Sequence, residues 1–295
     1  MQAFSDLPLR FLRVYYSVEL YFLTNKEIKM AKIHPTSVVA DGAILADGVE
    51  IGPLCYVGPN VKIGEGTRLI SHCNVDGYTT LGCRNILHPF AALGQPAQDH
   101  SVIPGTVTRL EVGDDNIFRE GTAIHTGTMP ETSTVIGNHC MFMNGSHVGH
   151  NCKVGNNVIY VSQAVTGGYA EIYDNVILSG LVAIHQFCRV GRFTIISGCS
   201  AFSKDVPPFM MAEGRNGGVK MINKVGLQRA GFSAEAIKNI KDIFKIFYCG
   251  TLGPGAALEK IQAELPPTPE VLEFIEFCKS SKRGVISAKV SGHRD

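Results

Sequence analysis

Six positions carry the groups best suited to chemistry on this chain: His125, His147, His150, Gly168, His185 and Gln186. His150, Gly168 and Gln186 are spaced 18 residues apart. A neutral imidazole titrates near physiological pH and can take a proton from a hydroxyl group. A glycine leaves its backbone N–H unobstructed, as a donor to a developing oxyanion must be. A base and an oxyanion donor with no Ser or Cys nucleophile arranged beside them point to direct acyl transfer, without a covalent enzyme intermediate. Taken singly, an exposed histidine is ordinarily only a polar surface group. The shared spacing gives these weight, provided the scaffold repeats at the same interval.

It does repeat. From Ile33 a bulky apolar residue recurs every six positions through Val39, Leu45, Ile51, Val57, Ile63, Leu69, Val75, Leu81 and Leu87 to Leu93. A second series runs from Ile136 to Phe202, with Thr166 as its one exception. Two residues before each bulky position the side chain is small or β-branched, as in Ala43, Cys55, Thr67, Cys140, Ala164 and Cys188. Residues two apart share a strand face, so each repeat points one large and one small side chain inward. Neither helix nor plain strand alternation has period six, which is the signature of a parallel β-helix. Three repeats close one triangular coil, so residues about 18 apart stack in a column. His150, Gly168 and Gln186 form an outward-facing column, with His147 on the same corner as His150. His125 and His185 follow the inward residue directly.

Bulk properties narrow the function classes. The chain has 295 residues and a formal net charge of +1, which disfavours nucleic acid as a bulk partner. No apolar run reaches the roughly 18 residues of a membrane span. Five of the nine cysteines (Cys55, Cys73, Cys140, Cys152, Cys188) fall in the small inward slot and no CxxC pair occurs, which favours a reducing compartment. The glycines follow the corner rhythm and form neither GxGxxG nor a P-loop, so no nucleotide cofactor is expected.

The chain divides into an N-terminal extension (1–29), a solenoid (30–211) and a C-terminal helical domain (212–295). The extension is aromatic with scattered Arg and Lys, and its reading as organelle targeting, mitochondrion favoured, stands beside a bacterial cytoplasm. The register breaks in a polar loop near 94–111, and a second loop near 127–134 sets Pro130 in a would-be core slot. The pattern stops at Asp205-Val206-Pro207-Pro208, after which the period becomes helical. Ser233 is the expected cap of one helix, with two more over 255–265 and 269–279. The tail from Lys282 is expected to fray. Arg189, Arg192, Lys204, Lys220, Lys224 and Arg229 are candidates for a basic face toward an acidic carrier protein.

The segments His34-Pro35-Thr36, Ile51-Gly52-Pro53, Asn144 to Cys152, His185-Gln186-Phe187-Cys188, Asp205 to Pro208 and Gly231-Phe232-Ser233 can be taken together. They resemble the acyl-ACP:UDP-N-acetylglucosamine O-acyltransferases of lipid A synthesis. The resemblance implies a left-handed parallel β-helix with a C-terminal α-helical domain, assembled as a homotrimer with active sites between subunits. It implies transfer of an (R)-3-hydroxyacyl group from acyl carrier protein to the glucosamine 3-hydroxyl of UDP-N-acetylglucosamine. His150 would be the general base and the Gly168 amide the oxyanion donor. Asp99, His125, His147, His185, Gln186, Asn223 and Arg229 match positions contacting nucleotide sugar or acyl-phosphopantetheine, and Gly198 matches the floor of the acyl groove. No resident cofactor or metal is implied, since the donor arrives on the carrier's phosphopantetheine.

The sequence departs from the family pattern at Asn151, where an acidic residue usually orients the base. It departs also at Ser101, Tyr169, Val225 and Ala230. Two readings of other classes are a γ-type carbonic anhydrase, with zinc on His125, His147 and His150, and a non-catalytic trimeric scaffold.

Overall fold

The computed structural model describes residues 30–288, apart from position 216. The extension 1–29 and its targeting reading lie outside the described residues. What is described is a left-handed parallel β-helix closed by a helical domain. Its strands, mostly two residues long, stack into an 11-stranded, a nine-stranded and an eight-stranded sheet, here sheets 1, 2 and 3. Successive strands visit the three sheets in turn, so each coil adds one rung to each face of a prism.

The registers carry the 18-residue period: His147 pairs with Val165, Val165 with Ala183 and Ala183 with Ala201. The bulky slots fill the axis, where Phe118, Phe142 and Tyr160 stack at 5.0 Å and are fully buried. The one polar exception has a partner. The Tyr160 hydroxyl needs a hydrogen bond in the core, and Thr166 lies 3.3 Å away. The five slot cysteines are buried and free, so they pack as small apolar residues.

Corners are tight, and many non-glycine residues there adopt positive φ, among them Asn151 (59°), Tyr169 (59°) and Phe187 (64°). That conformation costs an L-residue about 1 kcal/mol. It turns each N–H onto the rung before: Tyr169 N–H donates to the His150 carbonyl and Phe187 N–H to that of Gly168.

Both interruptions leave from the corner between sheets 2 and 3. The first joins strands Ala92–Gln95 and Arg109–Val112, the second Ala123–His125 and Ser133–Ile136. Pro130 is exposed in the second loop rather than in a core slot, because the chain leaves the prism there before resuming the repeat.

The start of the helical domain differs from expectation. Met210–Glu213 continues sheet 1 and pairs antiparallel with Gly218–Ile222, so strand structure runs past residue 211. Four helices follow among the described residues: α1 (Lys224–Arg229), α2 (Ala234–Tyr248), α3 (Pro254–Glu264) and α4 (Pro269–Lys279). Ser233 caps α2 by accepting from Ala236 N–H. The chain beyond Lys282 does not fray through its described part: Val285 and Ala288 bridge to Asp205 and Val219, and Ile286 is buried.

Arg189 and Arg192 are internal braces, not part of a basic face. Arg189 binds the buried Asp205 carboxylate and the Phe277 carbonyl, and Arg192 pairs with Glu273 among Phe193, Phe209 and Phe232. Lys220 is paired with Glu213.

Candidate active site

His150, Gly168 and Gln186 occupy successive rungs of the corner between sheets 2 and 3, as their spacing requires. The imidazole lies directly against the Gly168 α-carbon. A Cβ at 168 would fall inside the contact distance of Cε1 and Nε2, so only glycine leaves the ring in place. At this corner the Gly168 N–H has no acceptor among the described residues, while its carbonyl is taken by Phe187 N–H. The ring and the bare amide therefore sit side by side.

The loops close over this edge. From the first, Asp99 brings Oδ2 to 3.5 Å from His150 Nε2, where the imidazole side chain is 11% exposed and the aspartate 36%. Asp99 is held below the usual carboxylate range, chiefly by the Ser101 N–H, at 2.8 Å from Oδ1. Ser101, one of the departures from the family pattern, thus fixes Asp99. From the second loop, Thr128 reaches the residue behind the imidazole: Asn151 Oδ1 lies 3.0 Å from Thr128 N, 3.0 Å from Thr128 Oγ and 3.0 Å from His150 Nδ1. Asn151 thus orients His150 although it carries no charge. Sequence reasoning missed Thr128 entirely. Its only signal was a place in a loop leaving the same corner as His150.

His147 and His125 pack beside the column with ring centroids 5.0 Å apart. His125 is only 6% exposed and its Nδ1 has no partner among the described residues, which corrects the reading of it as an exposed corner group. Burial, with His147 and His150 nearby, pushes its pKa down to about 4, and burial followed by His150 lowers that of His147. Both are neutral at physiological pH. His185 lies three rungs above the level of His125, exposed, with Nδ1 3.1 Å from the Gln186 carbonyl oxygen. Tyr169 stands edge-on to the His150 ring (5.4 Å, 86°) and stacks on Phe187 (4.9 Å, 14°).

Three expected residues sit elsewhere on one protomer. Gly198 is on the corner between sheets 1 and 2, one edge away, where a Cβ would meet the Gly180 carbonyl oxygen at 3.2 Å. Asn223 caps α1, its Oδ1 accepting from Gly226 N–H and its Nδ2 donating to the Phe193 carbonyl, so its amide is committed at the edge between sheets 3 and 1. Arg229 ends the same helix. No three His, Cys, Asp or Glu side chains among the described residues converge to hold a metal ion, and the three histidines of the zinc reading do not form such a set.

Fold and edge together define a hexapeptide-repeat protein built for acyl transfer. A family profile described as bacterial transferase hexapeptide (six repeats) matches residues 133–159, and one described as UDP N-acetylglucosamine O-acyltransferase, domain 2, matches 205–286. The chain is 42% identical over 257 residues to the acyl-[acyl-carrier-protein]–UDP-N-acetylglucosamine O-acyltransferase of Syntrophobacter fumaroxidans, covering 86% of this chain and 99% of that protein. The protein of the same name from Thermodesulfovibrio yellowstonii is 40% identical, with coverage of 87% and 99%. A solved UDP-N-acetylglucosamine acyltransferase from Francisella novicida superimposes with a TM-score of 0.83 at 33% identity, over 90% of this chain and 100% of that one. The chain belongs to the acyl-ACP:UDP-N-acetylglucosamine O-acyltransferase family.

Proposed function

We propose that this chain transfers an (R)-3-hydroxyacyl group from acyl carrier protein to the glucosamine 3-hydroxyl of UDP-N-acetylglucosamine, the first step of lipid A synthesis. The observation that carries this is the close packing of the His150 imidazole where a Gly168 side chain would stand, on the edge where the Gly168 N–H has no acceptor among the described residues. His150 Nε2 takes the proton from the sugar hydroxyl as its oxygen attacks the thioester carbonyl. The Gly168 N–H donates to the oxyanion that forms. Collapse breaks the C–S bond, and the imidazolium returns its proton to the departing phosphopantetheine sulfur. Asp99, facing Nε2, stabilises the imidazolium between these steps. His150 relays the sugar hydroxyl's own proton to the sulfur, so the reaction as written balances without a resident cofactor or metal.

His147, His125, His185 and Gln186 line the same edge and are assigned to the substrates. Gly198, one edge away, is reached by an acyl chain lying between subunits of a homotrimer, so the site is shared by two protomers. A panel of hydroxyacyl carrier proteins with UDP-N-acetylglucosamine tests this directly. Ester formation on the nucleotide sugar is expected, and its absence with every donor would leave the scaffold reading. Mitochondrial targeting by residues 1–29 is a separate proposal that draws no support from the two bacterial relatives. Fusing those residues to a reporter tests it, and a diffuse signal would reject it. No helix of the described residues is long and apolar enough to cross a membrane.

A further inference from the structure

Asn151 Oδ1 receives three contacts, and one of them can only donate. The Thr128 backbone N–H at 3.0 Å has no lone pair to offer, so the amide atom facing it is the carbonyl oxygen. The same oxygen faces His150 Nδ1, which must then carry the ring proton. In the neutral imidazole this leaves the Nε2 lone pair directed at the groove. Thr128 Oγ also meets Oδ1 at 3.0 Å and spends its one proton there, so the Tyr169 hydroxyl, 3.0 Å from Thr128 Oγ, donates into it. Hydrogen bonds thus run from Tyr169 through Thr128 to Asn151, where they meet the one from His150. The Tyr169 ring, edge-on to the imidazole and stacked on Phe187, fixes the plane of the base as well. Thr128 and Asn151 are buried, so water does not compete for these bonds.

We propose that Asn151, Thr128 and Tyr169 form an uncharged clamp that holds His150 in the tautomer competent for proton abstraction. The three are positioning residues, and the inference rests on His150 being the base. The clamp puts no charge behind the ring. The ionisable groups facing His150 are Asp99 from the first loop, His125 and His147 from their strands, and Tyr169 from the next rung. Among the described residues Asp99 is therefore the sole carboxylate supporting the imidazolium, and it acts at Nε2.

The test pairs a tautomer measurement with kinetics on the full chain. With ¹⁵N-labelled histidine and a His150→Gln variant for assignment, NMR is expected to show the His150 proton on Nδ1, and Asn151→Ala to move it substantially to Nε2. Asn151→Ala and Thr128→Val should lower kcat roughly 10- to 100-fold, the range for groups that orient a functional imidazole from behind. KM should stay within about threefold, as expected when substrate contacts are untouched. Thr128→Ser, which keeps both donors, should restore kcat. Asn151→Asp places a carboxylate at Nδ1 and should move the acid limb of the kcat/KM profile up by about one pH unit. A proton on Nε2 in the wild-type chain, a tautomer indifferent to Asn151→Ala, or an acid limb unmoved in Asn151→Asp overturns the clamp. The NMR result does not depend on turnover, so it separates failure of the clamp from failure of the acyltransferase reading.

Discussion

At the scale of single residues, the site depends on a missing methyl group. A Cβ at 168 would meet the outer end of a side chain and not the backbone, so the His150 ring can swing away and the fold survives. Gly168→Ala should therefore change the melting temperature by no more than about 2 °C, consistent with a surface change of a few tenths of a kcal/mol. It should lower kcat by about two to three orders of magnitude, because the alanine keeps the backbone N–H but its Cβ displaces the His150 ring. Thermal melting beside steady-state kinetics checks both. The column His150, Gly168, Gln186 was legible in the sequence because one period fixes all three. Asn151 was legible only as a lost acid, since its function comes from Thr128, and a loop inserted between strands hides that neighbour from any periodic reading. Asn223 meets a related limit: a helix cap and a ligand contact are the same residue type until the partners of its amide are seen.

Buried His125 and His147 also set a pH dependence. Both have lowered folded-state pKa values, His125 near 4 against an ordinary 6.5, so both stay neutral in the folded chain while the unfolded chain takes up protons. Stability is then flat above about pH 6.5 and falls as the pH drops from 6.5 toward 4. Melting temperatures measured across that window should show the decline, and His125→Gln should reduce its slope. An unchanged slope would mean His125 is not the group responsible.

At the scale of elements, the two loops and the helical domain divide the work. Period six located the loops as breaks, and both prove to leave from one corner, so Asp99 and Thr128 reach the two sides of one imidazole. That shared origin could not be read from the sequence, because the length of an insertion does not reveal its path. The hairpin Met210–Glu213 with Gly218–Ile222 escaped notice because Met210 and Ala212 keep the inward alternation without the six-residue rhythm. The starts of α2 and α4 were legible from Ser233 and Pro269, while α3 begins at Pro254, one residue before its expected range. Asp205 joins solenoid to helical domain: its carboxylate takes Arg189 N–H, Arg189 Nε and Ser281 Oγ, and it is 1% exposed. Asp205→Ala leaves the Arg189 guanidinium without its carboxylate and should destabilise the chain by ~3–5 kcal/mol, measured by denaturant unfolding. A loss below about 1 kcal/mol would mean the brace is solvent-screened.

At the scale of the whole molecule, one prism carries His150, Gly168 and Asp99 on a single edge, while Gly198 lies on another. The proposed homotrimer would bring different edges together, and light scattering should then give about three times the 31.9 kDa of one chain. A monomer at micromolar concentration would leave Gly198 without a role in the acyl groove. The most direct measurement is the turnover of His150→Ala with a hydroxyacyl carrier protein and UDP-N-acetylglucosamine, made on protein whose assembly matches the wild type. A fall in kcat of about two to four orders of magnitude is expected for loss of the general base. Activity retained within about tenfold, with assembly intact, would contradict the assignment of the base and with it the chemistry of this edge.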